Sequence, residues 1–130
     1  DELTMVDREI TDGRRIARLL RAELAGLARP PFDAIAVTNE AADADTEPPE
    51  NRVFDVELSG ETLASVYLQA DRISLDFSDG LLAAKERATE SGLRTRPKAT
   101  SPPGLLVFVE NGASVKRAVD VIAAVATGGS

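Results

Sequence analysis

Five cations in the C-terminal part of the chain form the first group of side chains that could bind a ligand. Arg94, Arg96 and Lys98 lie in one proline-containing segment, and two more cations follow just after the start of the last expected helix. Free backbone N–H groups at a helix start favour anions, so a phosphate or another anion suits this group if the segment lies beside the helix. The predicted anion-binding residues are Arg94, Arg96, Lys98, Ser114, Lys116 and Arg117. The alternative is that these cations solvate a surface and pair with acidic residues such as Glu110.

Four arginines on the first expected helix form a second candidate surface. Arg14, Arg15, Arg18 and Arg21 lie on its outer face. This surface suits an acidic protein partner or a nucleic-acid backbone, but the net charge of −7 and the aromatic content of 4% disfavour nucleic acid. The alternative is that the arginines pair with the acidic segment 39–50, within the chain or across a dimer.

Alternating carboxylates form a third candidate. Asp43, Asp45 and Glu47 are spaced like the start of a calcium-binding loop. Pro48 stands where the sharp turn of such a loop needs glycine, and Phe54 stands where it needs a bidentate glutamate. The sequence therefore predicts no dedicated metal site in this segment.

Carboxylates on the expected strands offer a further route to chemistry. Asp55 and Glu57 on one strand, with Asp76 on another, could form a general acid–base pair or hold a divalent metal. The simpler interpretation places them on the solvated face of a sheet. We therefore predict no catalytic residue, no metal and no cofactor.

The residue types that are missing exclude several classes of site. The 130 residues include no histidine and no cysteine, which rules out Ser-His-Asp and Cys-His nucleophiles, zinc sites built from these residues, and disulfides. The excess of acidic residues lies in the segment 30–60, where Arg52 is the only base. Scarce lysine beside abundant arginine and aspartate is typical of a GC-rich genome or of a salt-adapted protein, and we favour the second.

The elements that must position these groups follow from hydrophobic periodicity. A helix with one apolar face is expected to begin after Thr11 or Asp12 and to end before Pro30, and a short strand is expected over residues 32–37. Period-two alternation then predicts an antiparallel meander over residues 54–58, 63–69 and 73–77.

The C-terminal half is expected to contain two more helices around one strand. The helices are predicted over residues 81–91 and 113–126, and a buried strand over residues 105–109. A right-handed crossover from residue 72 to residue 109 would make this last strand parallel to its neighbour.

These elements predict a single α+β domain over residues 1–130, with a mixed sheet that contains an antiparallel three-strand meander and three helices packed mainly on one face. Residues 39–51 are interpreted as an acidic solvated loop and residues 93–103 as a basic connector. The first fifteen residues are too polar for a signal peptide and no apolar run approaches a membrane span, so a cytoplasmic protein is expected.

Residues 10–20, and residues 93–109 together with 115–119, carry a resemblance to known proteins. These stretches resemble a family of small haloarchaeal proteins of unknown function. The resemblance implies a salt-adapted host and gives weight to the basic segment 94–98. It transfers no activity, cofactor or catalytic residue.

Three functional hypotheses follow. The first is a non-catalytic interaction or binding domain that works as a homo-oligomer or with a protein partner, since the residue types common in catalysis are missing. The second is a small-anion or nucleotide-binding protein that uses the basic segment 94–98 and the start of the last helix. The third is an enzyme based on carboxylates or lysine.

Overall fold

The computed structural model describes residues 11–41, 44–48 and 50–128. Four predicted features fall partly or wholly outside these residues. They are Asp43, which begins the alternating carboxylates, the acidic segment 39–51 at residues 42, 43 and 49, most of the N-terminal segment judged too polar for a signal peptide, and the first residue of the stretch 10–20.

The first helix, α1, runs over Gly13–Gly26. Asp12 caps it, because its Oδ1 accepts a hydrogen bond of 2.9 Å from the backbone N–H of Arg14. The buried face consists of Gly13, Ile16, Ala17, Leu20 and Leu24. The expected start of this helix and its apolar face are therefore confirmed.

Six strands form one sheet, and every pairing among them is antiparallel. The spatial order is β1-β2-β3-β4-β6-β5. The bounds are Ile35–Thr38 for β1, Arg52–Leu58 for β2, Glu61–Leu68 for β3, Ile73–Phe77 for β4, Thr95–Lys98 for β5 and Gly104–Val109 for β6. The α+β class and the antiparallel meander are confirmed.

The prediction of a mixed sheet with a parallel last strand is wrong. The chain leaves β4, forms the helix α2 over Leu81–Glu90, and enters β5. Strand β6 then turns back and lies between β4 and β5, antiparallel to both. The crossover from β4 therefore leads to β5, which runs parallel to β4 but is not its neighbour in the sheet. Part of the segment interpreted as a connector is this edge strand.

The last helix, α3, covers Val115–Ala126 and follows a single 3₁₀ turn over Gly112–Ser114. Asn111 caps that turn, since its Oδ1 accepts a hydrogen bond of 2.9 Å from the N–H of Ser114. Helix α3 contacts both α1 and α2, and each of the three helices contacts the sheet. Among the described helices, none combines the length and the apolar character needed to cross a membrane.

One hydrophobic cluster joins the buried sides of the helices to the sheet. Successive residues of a strand point to opposite faces, so the core side chains of each strand define one face, which we call the core face. Its central residues on β3, β4 and β6 include Val66, Leu75 and Val107, all of which are fully buried. The opposite face, the open face, carries polar residues such as Ser65, Ser74 and Asp76.

The start of α1 lies directly against the turn between β3 and β4. The N–H of Gly13 donates a hydrogen bond of 3.0 Å to the carbonyl of Ala70. A Cβ atom at Gly13 would lie 1.9 Å from the carbonyl oxygen of Gln69 and 2.8 Å from that of Arg72. Only glycine fits between the helix and this turn.

Candidate functional site

A half-open cleft of about 470 Å³ lies between α1, the residues that follow β1, and strands β2 and β3. We call it the arginine cleft. Its lining residues are Arg14, Ala17, Arg18, Arg21, Glu40, Ala41, Val53, Phe54 and Leu68.

Three of the four arginines predicted as a partner surface line this cleft. Arg14, Arg18 and Arg21 are spaced by four and three residues, which places them on the same side of α1. Ala17 lies among them, and its short side chain leaves space at the foot of the arginines. Arg15 is exposed on the same helix and does not line the cleft.

The other wall of the cleft is mostly apolar. Phe54 and Leu68 are buried beneath it, and Val53 is half-buried at its side. The pairing of β2 with β3 shifts register between Arg52 and Phe54, so Val53 is the extra residue of a bulge. This shift explains why two successive residues of one strand, Val53 and Phe54, line the same cavity.

Arg21 and Glu40 form an ion pair at the mouth of the cleft. Nε of Arg21 donates to Oε1 of Glu40, and Nη2 donates to Oε2 at 3.1 Å. The hydrogen bond with Glu40 raises the pKa of Arg21, and the hydrogen bond from Arg21 lowers the pKa of Glu40. About half of each side chain is exposed, 49% and 47% respectively, so solvent screens the pair.

The other two cleft arginines differ in their contacts. Nη1 of Arg14 donates a hydrogen bond of 2.8 Å to the carbonyl of Ala44, which is buried in the acidic segment. Arg18 is exposed and forms no ion pair with the residues that the structure describes. The acidic segment is thus tied to α1 at two points, and it is not solvated throughout.

The Arg21–Glu40 pair predicts a pH response of defined sign. The folded-state pKa of Glu40 is lowered, so the pair stabilises the fold above the ordinary carboxyl range. This contribution to the free energy of unfolding is lost as the pH falls through the lowered pKa. In an NMR titration of the side-chain carboxyl carbons, we expect Glu40 to titrate below the ordinary glutamate value of about 4.3. In Arg21→Gln, the titration of Glu40 should move upward. An unchanged midpoint in this variant would show that Arg21 does not hold the carboxylate in solution.

The residues predicted as an anion site do not converge in this way. Lys98 donates from Nζ to Oδ2 of Asp76 at 2.6 Å, a hydrogen bond that raises the pKa of Lys98. Arg94 lies 3.6 Å from Glu110 in a solvent-exposed ion pair. Arg96 is exposed on β5, where it lies opposite Leu106 of β6 on the open face.

The remaining members of that set belong to the 3₁₀ turn before α3 and to the first residues of α3. Lys116 and Arg117 are exposed near the start of α3, a helix that packs on the core face. Ser114 is buried, and its N–H already binds Asn111. Arg96 and Lys98 belong to the open face of the sheet, whereas Lys116 and Arg117 belong to α3, whose buried residues are part of the core cluster.

The strand carboxylates lie on the open face, each with its own partner. Asp55 accepts hydrogen bonds from Asn39 at 2.8 Å and from Ser65 at 2.7 Å. Glu57 accepts one from Thr38 at 2.6 Å. Asp55 on β2 and Asp76 on β4 both pair with Ser65 of the strand between them. Their backbones are therefore roughly 10 Å apart, twice the spacing of neighbouring strands.

No group of three acidic, histidine or cysteine side chains in the described part of the chain is placed to hold a metal ion. Oδ1 of Asp45 accepts a hydrogen bond from the N–H of Thr46, and the sequence pattern of a calcium loop fails at Pro48 as before.

Sequence reasoning identified the arginines of the cleft but not the wall opposite them. The spacing of Arg14, Arg18 and Arg21 around Ala17 was the available signal, because it marks one side of a helix with a gap at its centre. The contribution of Phe54 depends on the bulge in β2. The position of Glu40 beside Arg21 depends on the path of a segment without regular structure.

A family model described as a family of unknown function (DUF7993) matches residues 5–130. Neither the curated proteins nor the solved structures include a match to this chain.

Proposed function

Since the chain belongs to the DUF7993 family, whose description assigns no activity, we propose a role from the site itself: a non-catalytic binding domain that holds an anionic ligand with an apolar body in the arginine cleft. The observation that carries this proposal is the composition of the cleft, in which three guanidinium groups on one side of α1 face an apolar wall.

The arginines supply the part of the site that recognises charge. A guanidinium group presents several N–H donors in a planar fork and stays protonated at all physiological pH values. Arg18 has no ion pair within the described residues, and Arg21 is held only by an exposed pair. An anionic group entering the cleft would therefore meet at least one arginine directly, with Arg14 close by on the same face.

The apolar wall and the size of the cleft supply the rest. A volume of about 470 Å³ lies within the range of small-molecule sites, which are mostly apolar with a few polar groups that fix orientation. Ala17, Val53, Phe54 and Leu68 would contact the apolar body of the ligand. This arrangement favours an amphiphilic anion over a bare phosphate ion.

The lining residues also favour binding over catalysis. The described residues that line the cleft carry no hydroxyl, thiol, imidazole or amine, and Glu40 is the only carboxylate among them. Arginine does not deprotonate in proteins, so it cannot exchange protons with a substrate. Glu40 is ionised and held by Arg21, which leaves it a poor general acid.

Self-association remains a separate prediction. Within the described residues, Leu82 is the one large hydrophobic side chain that is exposed. The edge strands β1 and β5 have four residues each, and β5 carries Pro97 between charged residues, which disfavours association through the edge at β5. Sedimentation equilibrium at micromolar concentrations would test it, and a monomer would contradict it.

The ligand proposal is tested by titration calorimetry with octanoate, octyl phosphate, inorganic phosphate and octan-1-ol. We expect the two octyl anions to bind, and the ion or the alcohol alone to bind at least tenfold more weakly. Arg18→Gln removes one charge-assisted contact, so affinity for the octyl anions should fall about tenfold.

Arg15→Gln is the matched control. It removes the same charge at an exposed position of the same helix that does not line the cleft, so the affinity for the octyl anions should change less than twofold. Equal losses in Arg15→Gln and Arg18→Gln would point to nonspecific attraction by the helix. No binding of either octyl anion would overturn the proposed function.

A further inference from the structure

The carboxylate of Glu40 occupies the place in the cleft where an anionic ligand would meet Arg21. Both residues line the cleft, and the two side chains meet through two N–H···O contacts, from Nε and from Nη2. This side-by-side geometry fits the planar shape and the two oxygens of a carboxylate. The pair therefore shows how this part of the cleft binds a carboxyl group.

We infer that Glu40 is an internal competitor for the ligand, and that the ligand is a carboxylate with an apolar body whose carboxyl group replaces that of Glu40 on Arg21. This inference rests on the proposed function, and it adds the chemical class of the ligand and a residue that limits its affinity.

The exposure of the pair makes this exchange feasible. About half of each side chain is accessible to solvent, and exposed ion pairs are weak because water and salt screen them. Displacement of Glu40 thus removes little stability. The ligand also contacts the apolar wall through its body, which the short side chain of Glu40 cannot do.

The backbone around Glu40 can stay in place during the exchange. The N–H of the next residue, Ala41, donates a hydrogen bond of 2.7 Å to the carbonyl of Val53. The carbonyl of the preceding residue, Asn39, accepts a hydrogen bond of 2.7 Å from Nη1 of Arg52. With both neighbours anchored, rotation of the Glu40 side chain alone is enough to free Arg21.

The two states of Arg21 can be compared by substituting Glu40. Glu40→Gln keeps the size of the side chain, removes its charge and leaves Arg21 available to the ligand. We expect the affinity for octanoate to rise about two- to fivefold, the range set by the strength of an exposed ion pair. Glu47→Gln changes the net charge equally at an exposed position of the same acidic segment, and it should leave the affinity unchanged.

Arg21 must be the group through which Glu40 acts. In the double variant Arg21→Gln/Glu40→Gln, the gain from Glu40→Gln should disappear, so the effects of the two substitutions should not be additive. An additive result would overturn the inference, because Glu40 would then act by general repulsion of anions.

The measurement is the calorimetric Kd of octanoate and of octyl phosphate for the wild type and each variant. The inference is overturned if the wild type binds octanoate but Glu40→Gln binds it no better, or if octyl phosphate is preferred in both; in either case the proposed function stands. Absence of binding by both probes, in the wild type and in Glu40→Gln, overturns the proposed function together with the inference.

Discussion

Gly13→Ala is expected to lower the free energy of unfolding by about 3–4 kcal/mol, which is at the upper end for overpacking by one methyl group. The added Cβ would lie 1.9 Å from the carbonyl oxygen of Gln69 and 2.8 Å from that of Arg72. Both obstacles are backbone atoms of the β3–β4 turn, so no side-chain rotation relieves the overlap. The helix would have to move away and lose the hydrogen bond from Gly13 to Ala70.

Helix propensity alone would predict the opposite sign, because alanine is favoured over glycine in helices by about 1 kcal/mol. Gly26→Ala provides the matched control at the other end of α1, where no atom lies within 4 Å of the added Cβ. We expect this variant to be unchanged or slightly more stable. Thermal unfolding should show a melting temperature about 12 °C lower for Gly13→Ala. Equal stability of the two variants would contradict the close contact.

Phe77→Ala is expected to lower the free energy of unfolding by about 3–5 kcal/mol through loss of apolar burial and creation of a cavity. Phe77 is fully buried on β4, which lies between β3 and β6. The chain has only four phenylalanines and no tryptophan. The paired residue on β3, Ala64, is small and cannot fill the space by rotation.

Urea unfolding of two further variants tests whether the lower free energy of unfolding of Phe77→Ala comes from the loss of buried apolar volume. Phe77→Leu keeps most of the apolar volume, so the loss should be smaller, about 1–2 kcal/mol. Leu82→Ala removes an exposed leucine from α2 and should stay within about 0.5 kcal/mol of the wild type. If Leu82→Ala lowered the free energy of unfolding as much as Phe77→Ala, the side chain of Leu82 would have to be buried rather than exposed.

Periodicity in the sequence was sufficient for the elements with a strong apolar pattern. The start of α1 follows from Asp12 and the spacing of Ile16, Leu20 and Leu24, all of which are buried as expected. The meander follows from alternation in β2, β3 and β4. In these elements, burial of one face dominates the free energy, and the pattern of burial is visible in the residue types.

Strand β5 could not be recognised in this way. Its four residues, Thr95–Lys98, contain a proline and two cations, which are features of loops as well as of edge strands. Pairing with β6 holds this segment extended, and pairing is a property of the partner strand. Missing β5 led directly to the wrong prediction of a parallel last strand.

The candidate site was partly visible for the same kind of reason. The arginines share one side of a helix, so their spacing places them together. Glu40 reaches Arg21 across nineteen positions of sequence, and Phe54 reaches the cleft through a shift of register. Contacts of this kind depend on how segments pack, which residue spacing along the chain does not encode.

The insertion of β6 between β4 and β5 has a consequence for synthesis of the chain on the ribosome. Strands β1 to β4 can pair as soon as residue 77 has emerged, but β4 then ends the sheet with an unpaired edge. Strand β5 emerges next and has no neighbour until β6 follows. The nascent domain thus exposes the backbone of a strand with one apolar face, Ile73–Phe77, until residue 109 is available, and this interval is when pairing with another chain competes with folding.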